Sequence, residues 1–329
     1  MSPALRSALA VLGGFSLLAG CAYPHRPEAL PETHAFDRPG ETRLGRHVAA
    51  EAEARAGNSG IYVLNTGPDS FAARIALIEL AEQALDVQYY IFHDDVTGLW
   101  TLSRLLAAAD RGVRVRLLLD DLGAAGIDEL VSAADVHPNL EVRLFNPFAR
   151  GPFPKLARTL DLLRHPHRLN RRMHNKMLTA DGAAGIVGGR NVGDEYFGAK
   201  EGVNFADLDL LAFGPVNEEL GQSFDLYWNS PYAFPVTAWK RLTGTAEDLE
   251  RLRSRLAEHE RTQAGSPYAE RLRGSGFVQE ALAGELELLW SPTHVVADLP
   301  RKIEARGDEL RETLLTEQLE PLWLRRSPT

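Results

Sequence analysis

Leu169-Asn170-Arg171-Arg172-Met173-His174-Asn175-Lys176-Met177-Leu178-Thr179-Ala180-Asp181 runs on into Gly182-Ala183-Ala184-Gly185-Ile186-Val187-Gly188-Gly189-Arg190-Asn191, and how this stretch is read decides the fold. Residues 177–180 and 185–187 are short apolar runs, and Asp181-Gly182 between them is turn chemistry, so the segment predicts a β-hairpin. Side chains alternate along an extended chain, so His174 and Lys176, two apart, point to the same side. A neutral imidazole is a competent nucleophile near pH 7, and an ammonium beside it can neutralise the oxygens of a phosphodiester under attack. This chemistry calls for no metal and no cofactor.

Working outward, strand and helix alternate. Residues 85–92 and 113–119 are β-rich, the second run ending at Asp120 and Asp121; 98–109 and 127–134 read as helices and 140–145 as a strand. Upstream, Asp69 or Ser70 is expected to cap a helix over 71–84. Downstream, 208–213 reads as a strand and 217–228 as a helix packed by Leu220, Phe224 and Trp228, ended by Asn229-Ser230-Pro231. Such alternation defines an α/β class with crossover helices on the faces of a sheet, and residues 61–237 form one domain. Residues 238–329 turn to charged helical sequence, such as Glu247-Asp248-Leu249-Glu250-Arg251, read as a solvated face. The chain contains no internal repeat.

Composition bounds the partners. In 329 residues, 36 Lys+Arg stand against 45 Asp+Glu, a net charge of -9 that argues against a protein coating nucleic acid. Residues 1–20 read as an export signal: Arg6 is followed by an apolar run over 8–18, too short for a membrane anchor. Leu18-Ala19-Gly20-Cys21 resembles a bacterial lipobox, which makes Cys21, the only cysteine, the expected lipidation site. With a single thiol no intrachain disulfide can form. Ala22, where an Asp would retain a lipoprotein at the inner membrane, points to a periplasm-facing lipoprotein of the outer membrane. Residues 21–60, rich in Pro, Glu, Ala and Gly, are expected to be a flexible tether.

His174, Lys176, Asp181, Gly188, Gly189 and Asn191 stand at the spacing of a His-x-Lys-x4-Asp signature, and on these residues the chain resembles the phospholipase D superfamily. Leu85-Asp86-Val87-Gln88-Tyr89-Tyr90-Ile91, Val142-Arg143-Leu144-Phe145-Asn146-Pro147-Phe148 and Gly193-Asp194-Glu195-Tyr196-Phe197-Gly198 narrow the likeness to its cardiolipin synthase C-like branch. The resemblance implies a mixed β-sheet flanked by helices on both faces. It also implies phosphatidyl transfer between phospholipids through a phosphohistidine intermediate, at a membrane reached through the lipid anchor. In that frame His174 is the nucleophile or its partner acid, with Lys176 and Asn191 as phosphate ligands. Gly188 and Gly189 let backbone and the Asn191 amide approach the substrate, Gly189 standing where many relatives carry Ser. Asp181 joins this group by motif, although in the family it holds the local fold. An acceptor must fix the imidazole tautomer, and Asp207 is the candidate, with Asp209 on the same face as its rival. Residues 150–172, with Arg150, Lys155, Arg158, Arg164, Arg168, Arg171 and Arg172 against the single acid Asp161, are expected to form an anionic-lipid surface.

The family builds one active site from two motifs, and none of the other nine of the 10 histidines has a lysine two residues on. Residues 314–322 resemble the family's bridge into its second half and 323–329 do not, so the chain is expected to be truncated after the first half. A homodimer pairing two His174 residues, or a complementing second-half chain, would then complete the site. The other functional readings are a homodimeric single-motif phosphodiesterase or nuclease and an inactive lipid-binding lipoprotein.

Overall fold

The computed structural model describes residues 30–149, 154–200, 202–239, 242–315 and 319, so the expected signal peptide and Cys21 lie outside the described residues. From the N-terminal side come α1 (Arg43–Glu53), β1 (Ser59–Leu64), α2 (Gly67–Leu80), β2 (Ala84–Ile91), α3 (Val96–Asp110), β3 (Arg114–Gly123), α4 (Asp128–Ala134) and β4 (Leu140–Phe145). Next are the short helices α5 (Pro154–Arg164) and α6 (Pro166–Leu169), the hairpin β5 (Met177–Ala180) and β6 (Ala184–Gly188), and α7 (Asp194–Phe197). Then follow β7 (Asp209–Phe213), α8 (Val216–Trp228), β8 (Ala233–Pro235), α9 (Ala246–Gln263), α10 (Pro267–Arg273), α11 (Gly276–Ala283), β9 (Leu289–Ser291) and α12 (Gly307–Glu312).

The strands form one mixed nine-stranded sheet in the order β8-β4-β3-β2-β5-β6-β7-β1-β9. β2, β3 and β4 run parallel, as the helical crossovers require, and the remaining neighbours are antiparallel. Alternation along the strands splits the core in two. Leu85, Val87 and Tyr89 of β2 with Val115, Leu117 and Leu119 of β3 pack under α2, α3 and α4. On the opposite face Leu118, Phe145 and Met177 meet Leu220, Phe224 and Trp228 of α8. Each such buried side chain contributes about 1.5–3 kcal/mol of transfer free energy, so both faces are firmly closed.

The hairpin forms as expected, through a three-residue loop in which Asp181 (φ 55°) and Gly182 (φ 61°) are left-handed and Ala183 N–H donates to Ala180 O at 3.0 Å. Other expectations need correction. Thr66, not Asp69 or Ser70, caps α2, accepting from Asp69 N–H at 3.2 Å. The described part of the 21–60 tether is packed, because buried Arg116 draws it in. Arg116 pairs with Asp86 at 2.6 Å and Asp225 at 2.8 Å, and its remaining donor reaches Thr33 O at 2.8 Å. Ala35 N–H donates to Asp225 at 2.9 Å, and α1 follows, capped by Thr42. The charged stretch beyond 238 is also no free face. α9 packs on α3 and α4, with Leu252 and Leu256 buried in the main core, while its outer side carries pairs such as Arg251–Glu247.

The pairing of Gln88 with Met177 and of Met177 with Val187 sets the start of β5 and the end of β6 beside the carboxyl ends of the parallel strands. Open α/β sheets offer their ligand-binding crevice at that edge.

Candidate active site

The segment carrying His174 crosses this edge, and β3 holds it there. Asp120, fully buried at the end of β3, accepts from Arg172 Nε at 2.8 Å, Arg172 Nη2 at 2.5 Å and Met173 N–H at 3.0 Å. Burial pushes the Asp120 carboxyl up to about 6 against the pull of the Arg172 guanidinium. Arg172 also donates to Asn146 O at 2.9 Å, and Asn146 Nδ2 reaches the carbonyls of Arg168 (2.9 Å) and Arg171 (3.0 Å). The backbone on which His174 stands is thus fixed by charged and amide partners before any substrate arrives.

His174 itself is exposed, and its ring nitrogens have no hydrogen-bond partner among the described residues. Its ring lies 5.1 Å from that of Tyr90, and Lys176 Nζ sits 5.4 Å from the same ring, so both groups address one place. Lys176 is 4% exposed and donates to His174 O at 2.7 Å. Desolvation brings its ammonium down to about 8, opposed by the carboxylates of Asp207, Asp120 and Asp209. The imidazole is lowered as well, by burial first and then by the charges of Lys176 and Lys302. An unprotonated imidazole beside a protonated lysine is therefore the prevailing state near neutrality.

Asn191, 3% exposed, accepts from Ile91 N–H at 3.0 Å through Oδ1, which leaves Nδ2 without a protein partner among the described residues and able to donate to a ligand. The two glycines act otherwise than expected. The amide of Gly188 is directed to Lys176 O at 3.4 Å and that of Gly189 to Leu208 O at 3.1 Å, so neither is free for a phosphate. A Cβ on Gly188 would lie 2.0 Å from an Asp209 carboxylate oxygen, and one on Gly189 1.8 Å from that of Asp207. These glycines make room for carboxylates, not for substrate.

Asp181 is not a substrate ligand either. It sits at the far end of β5, where its carboxylate accepts the N–H groups of Glu82 (2.9 Å), Gln83 (2.8 Å) and Ala84 (2.9 Å) and ties the α2–β2 turn to the hairpin. The two acids considered behind the imidazole separate cleanly. Asp209, 0% exposed, is bound to Arg74 at 3.0 Å, to Ser70 and to Arg190 N–H at 3.2 Å. Asp207 is half-buried at the site and is the carboxylate acting most strongly on Lys176. No hydrogen bond joins Asp207 to His174 among the described residues; its Oδ1 accepts from Leu208 N–H at 2.9 Å. Its charge acts as a countercharge to the lysine.

The basic stretch is largely internal. Arg172 is paired with Asp120, Arg168 with Asp161 at 3.1 Å, and Arg171 Nη1 donates to Lys302 O at 2.8 Å. Leu162, Leu163 and Arg164 remain exposed, while Arg150 and the side chain of Lys155 lie outside the described residues. Sequence reading missed Asp120, Tyr90 and Asn146; the placing of Asp120 at the carboxyl end of a parallel strand was the available signal. Lys302, far along the chain, offered none.

The structure is thus a mixed α/β sheet that presents an imidazole and a lysine at the carboxyl ends of its parallel strands. Residues 75–228 match the family model described as cardiolipin synthase, PLD-like domain. The chain is 42% identical over 279 residues to cardiolipin synthase C of Escherichia coli (strain K12), covering 84% of this chain and 57% of that protein. It is 33% identical over 174 residues to cardiolipin synthase A of Pseudomonas entomophila, 52% of this chain and 34% of that one. NucT from Helicobacter pylori aligns with a TM-score of 0.39 and 16% identity over 54% of this chain and 98% of that one. The chain thus carries a PLD-like domain over residues 75–228 and is similar to cardiolipin synthase C, its match spanning about half the length of those curated synthases or less. No described helix is long and apolar enough to cross a membrane.

Proposed function

We propose that this chain supplies the His174 half of a phosphatidyltransferase of cardiolipin synthase type. The observation that carries the reading is the pairing at Tyr90 of an exposed imidazole, its nitrogens unclaimed by described residues, with a buried ammonium. His174 attacks the phosphorus of a phospholipid diester, forming a P–N bond as the P–O bond to the headgroup breaks. Lys176 and the Asn191 amide stabilise the nonbridging oxygens. The departing alkoxide takes a proton from an acid, and a second lipid hydroxyl, losing its proton to the conjugate base, then displaces the histidine. The acid is a second histidine, as the two-motif site of the resembled family implies, and the His174 of another copy of the chain is one source of it. The lipobox at Cys21 and the export signal support a periplasm-facing lipoprotein tethered to the outer membrane, where phospholipid substrate is at hand.

The decisive experiment incubates the purified chain with phosphatidylglycerol and phosphatidylethanolamine and traps covalent phosphohistidine. Label on wild type and none on His174→Ala is expected; no label, or label surviving that substitution, overturns the reading. Sizing the same sample tests the homodimer, which a strict monomer excludes.

A further inference from the structure

Residues 298–305 fold back against the segment that carries His174. Ile303 is buried in the same cluster as Met173 and Met177, Tyr227 Oη donates to Asp298 O at 2.8 Å, and Arg171 Nη1 bonds the carbonyls of Lys302 (2.8 Å), Ile303 (3.4 Å) and Ala305. Arg171 stands three residues before His174, so this strap is pinned to the site's own backbone. Within it Lys302 is 5% exposed, and its Nζ pairs with Asp298 Oδ2 at 2.6 Å, the other oxygen of Asp298 accepting from Leu315 N–H at 2.6 Å. Lysine is almost never buried to this degree unless paired, and the partner here is Asp298.

The four charges that bear on His174 are Lys176, Lys302, Asp298 and Asp207, and Lys302 also opposes the charge of Lys176. The Lys302–Asp298 pair, carried by a strap more than a hundred residues beyond Lys176, thus acts on the imidazole together with Lys176 and Asp207. Two cations that both act on one imidazole oppose each other, and an anion bound near them relieves that repulsion. Arg171 and Ile303 already fasten the strap, so its attachment does not depend on the charge of Lys302.

We propose that Lys302 is a second phosphate-binding cation of the His174 site, delivered by the 298–305 strap, with Asp298 as the countercharge it gives up when phosphate enters. This rests on the reading of His174 as a phosphodiester site. The test is equilibrium binding of inorganic phosphate to the full chain, followed by 31P NMR, alongside thermal melts and the phosphohistidine trap. Lys302→Met is expected to weaken phosphate binding about tenfold, the loss of one charge-assisted contact, and Lys302→Arg to retain most of it. Asp298→Asn frees the cation and is expected to tighten phosphate binding even as it loosens the strap, an opposition that a purely structural pair would not produce. Phosphate affinity within twofold of wild type in folded Lys302→Met overturns the proposal. If that variant does not fold, unchanged or weaker binding by Asp298→Asn overturns it instead. Wild type that labels on His174 while Lys302→Met binds phosphate equally sinks this inference alone; wild type that neither labels nor binds phosphate sinks the functional reading with it.

Discussion

The two ends of β5 put the residues of one signature to opposite uses. At its start, His174 and Lys176 meet at the Tyr90 ring: the imidazole nitrogens have no described partner, and the ammonium makes one bond, to His174 O. At its end, Asp181 is 1% exposed and its two oxygens take three backbone N–H groups. Both ends are polar and both carry charge, yet one leaves its valences open and the other closes them. Open polar valences at a sheet edge are available for chemistry, whereas closed ones hold the chain. The same contrast separates Asp207 from Asp209 two residues later.

That contrast can be broken from either side. The largest effect is expected beneath the open end: Arg172→Met leaves Asp120 buried and unpaired, which should destabilise the fold by about 3–5 kcal/mol in denaturant unfolding. Lys176→Ala should leave the fold standing and lower turnover by about 10²–10³-fold, roughly 2.7–4 kcal/mol of transition-state stabilisation, measured as headgroup release. At the closed end Asp181→Ala should do the reverse, lowering stability by about 1–3 kcal/mol for the N–H groups it orphans while phosphohistidine still forms on the residual folded protein. If Asp181→Ala abolished labelling without loss of stability, the division between the two ends would fail.

Smaller effects sharpen the comparison. Activity that needs Lys176 charged should fall as pH rises through about 8, and the acid limb, set by deprotonation of His174, should lie below the ordinary imidazole range. The stability sign is the opposite. Between about 8 and the ordinary lysine value of 10.5 the unfolded chain binds the proton that folded Lys176 has lost, so stability should rise with pH across that window. Gly189→Ser should displace Asp207, removing its countercharge and moving the alkaline limb of the rate profile lower still. A limb unmoved by that substitution would show that Asp207 does not act on Lys176.

Legibility in the sequence followed the range of the interactions. The hairpin, the alternation of strands and helices and the pairing of His174 with Lys176 are properties of adjacent residues, set by periodicity and turn chemistry. The tether was misread because Pro, Glu and Ala carry no trace of the buried guanidinium of Arg116 that draws Thr33 in from 83 positions away. The glycines were misread for a similar reason. A missing Cβ makes space, and only the fold shows that Asp207 and Asp209 fill it. Arg168, Arg171 and Arg172 look like a surface for anions in the sequence and turn inward in the structure, because Asp161, Asp120 and the strap carbonyls meet them there.

By itself, then, the sequence determined the class of fold and the two side chains that meet at Tyr90, since both follow from local periodicity and spacing. Only the tertiary structure decided which acids are countercharges and which are fasteners, and that Lys302 belongs to the site. Those roles depend on desolvation and on charges brought together from distant parts of the chain.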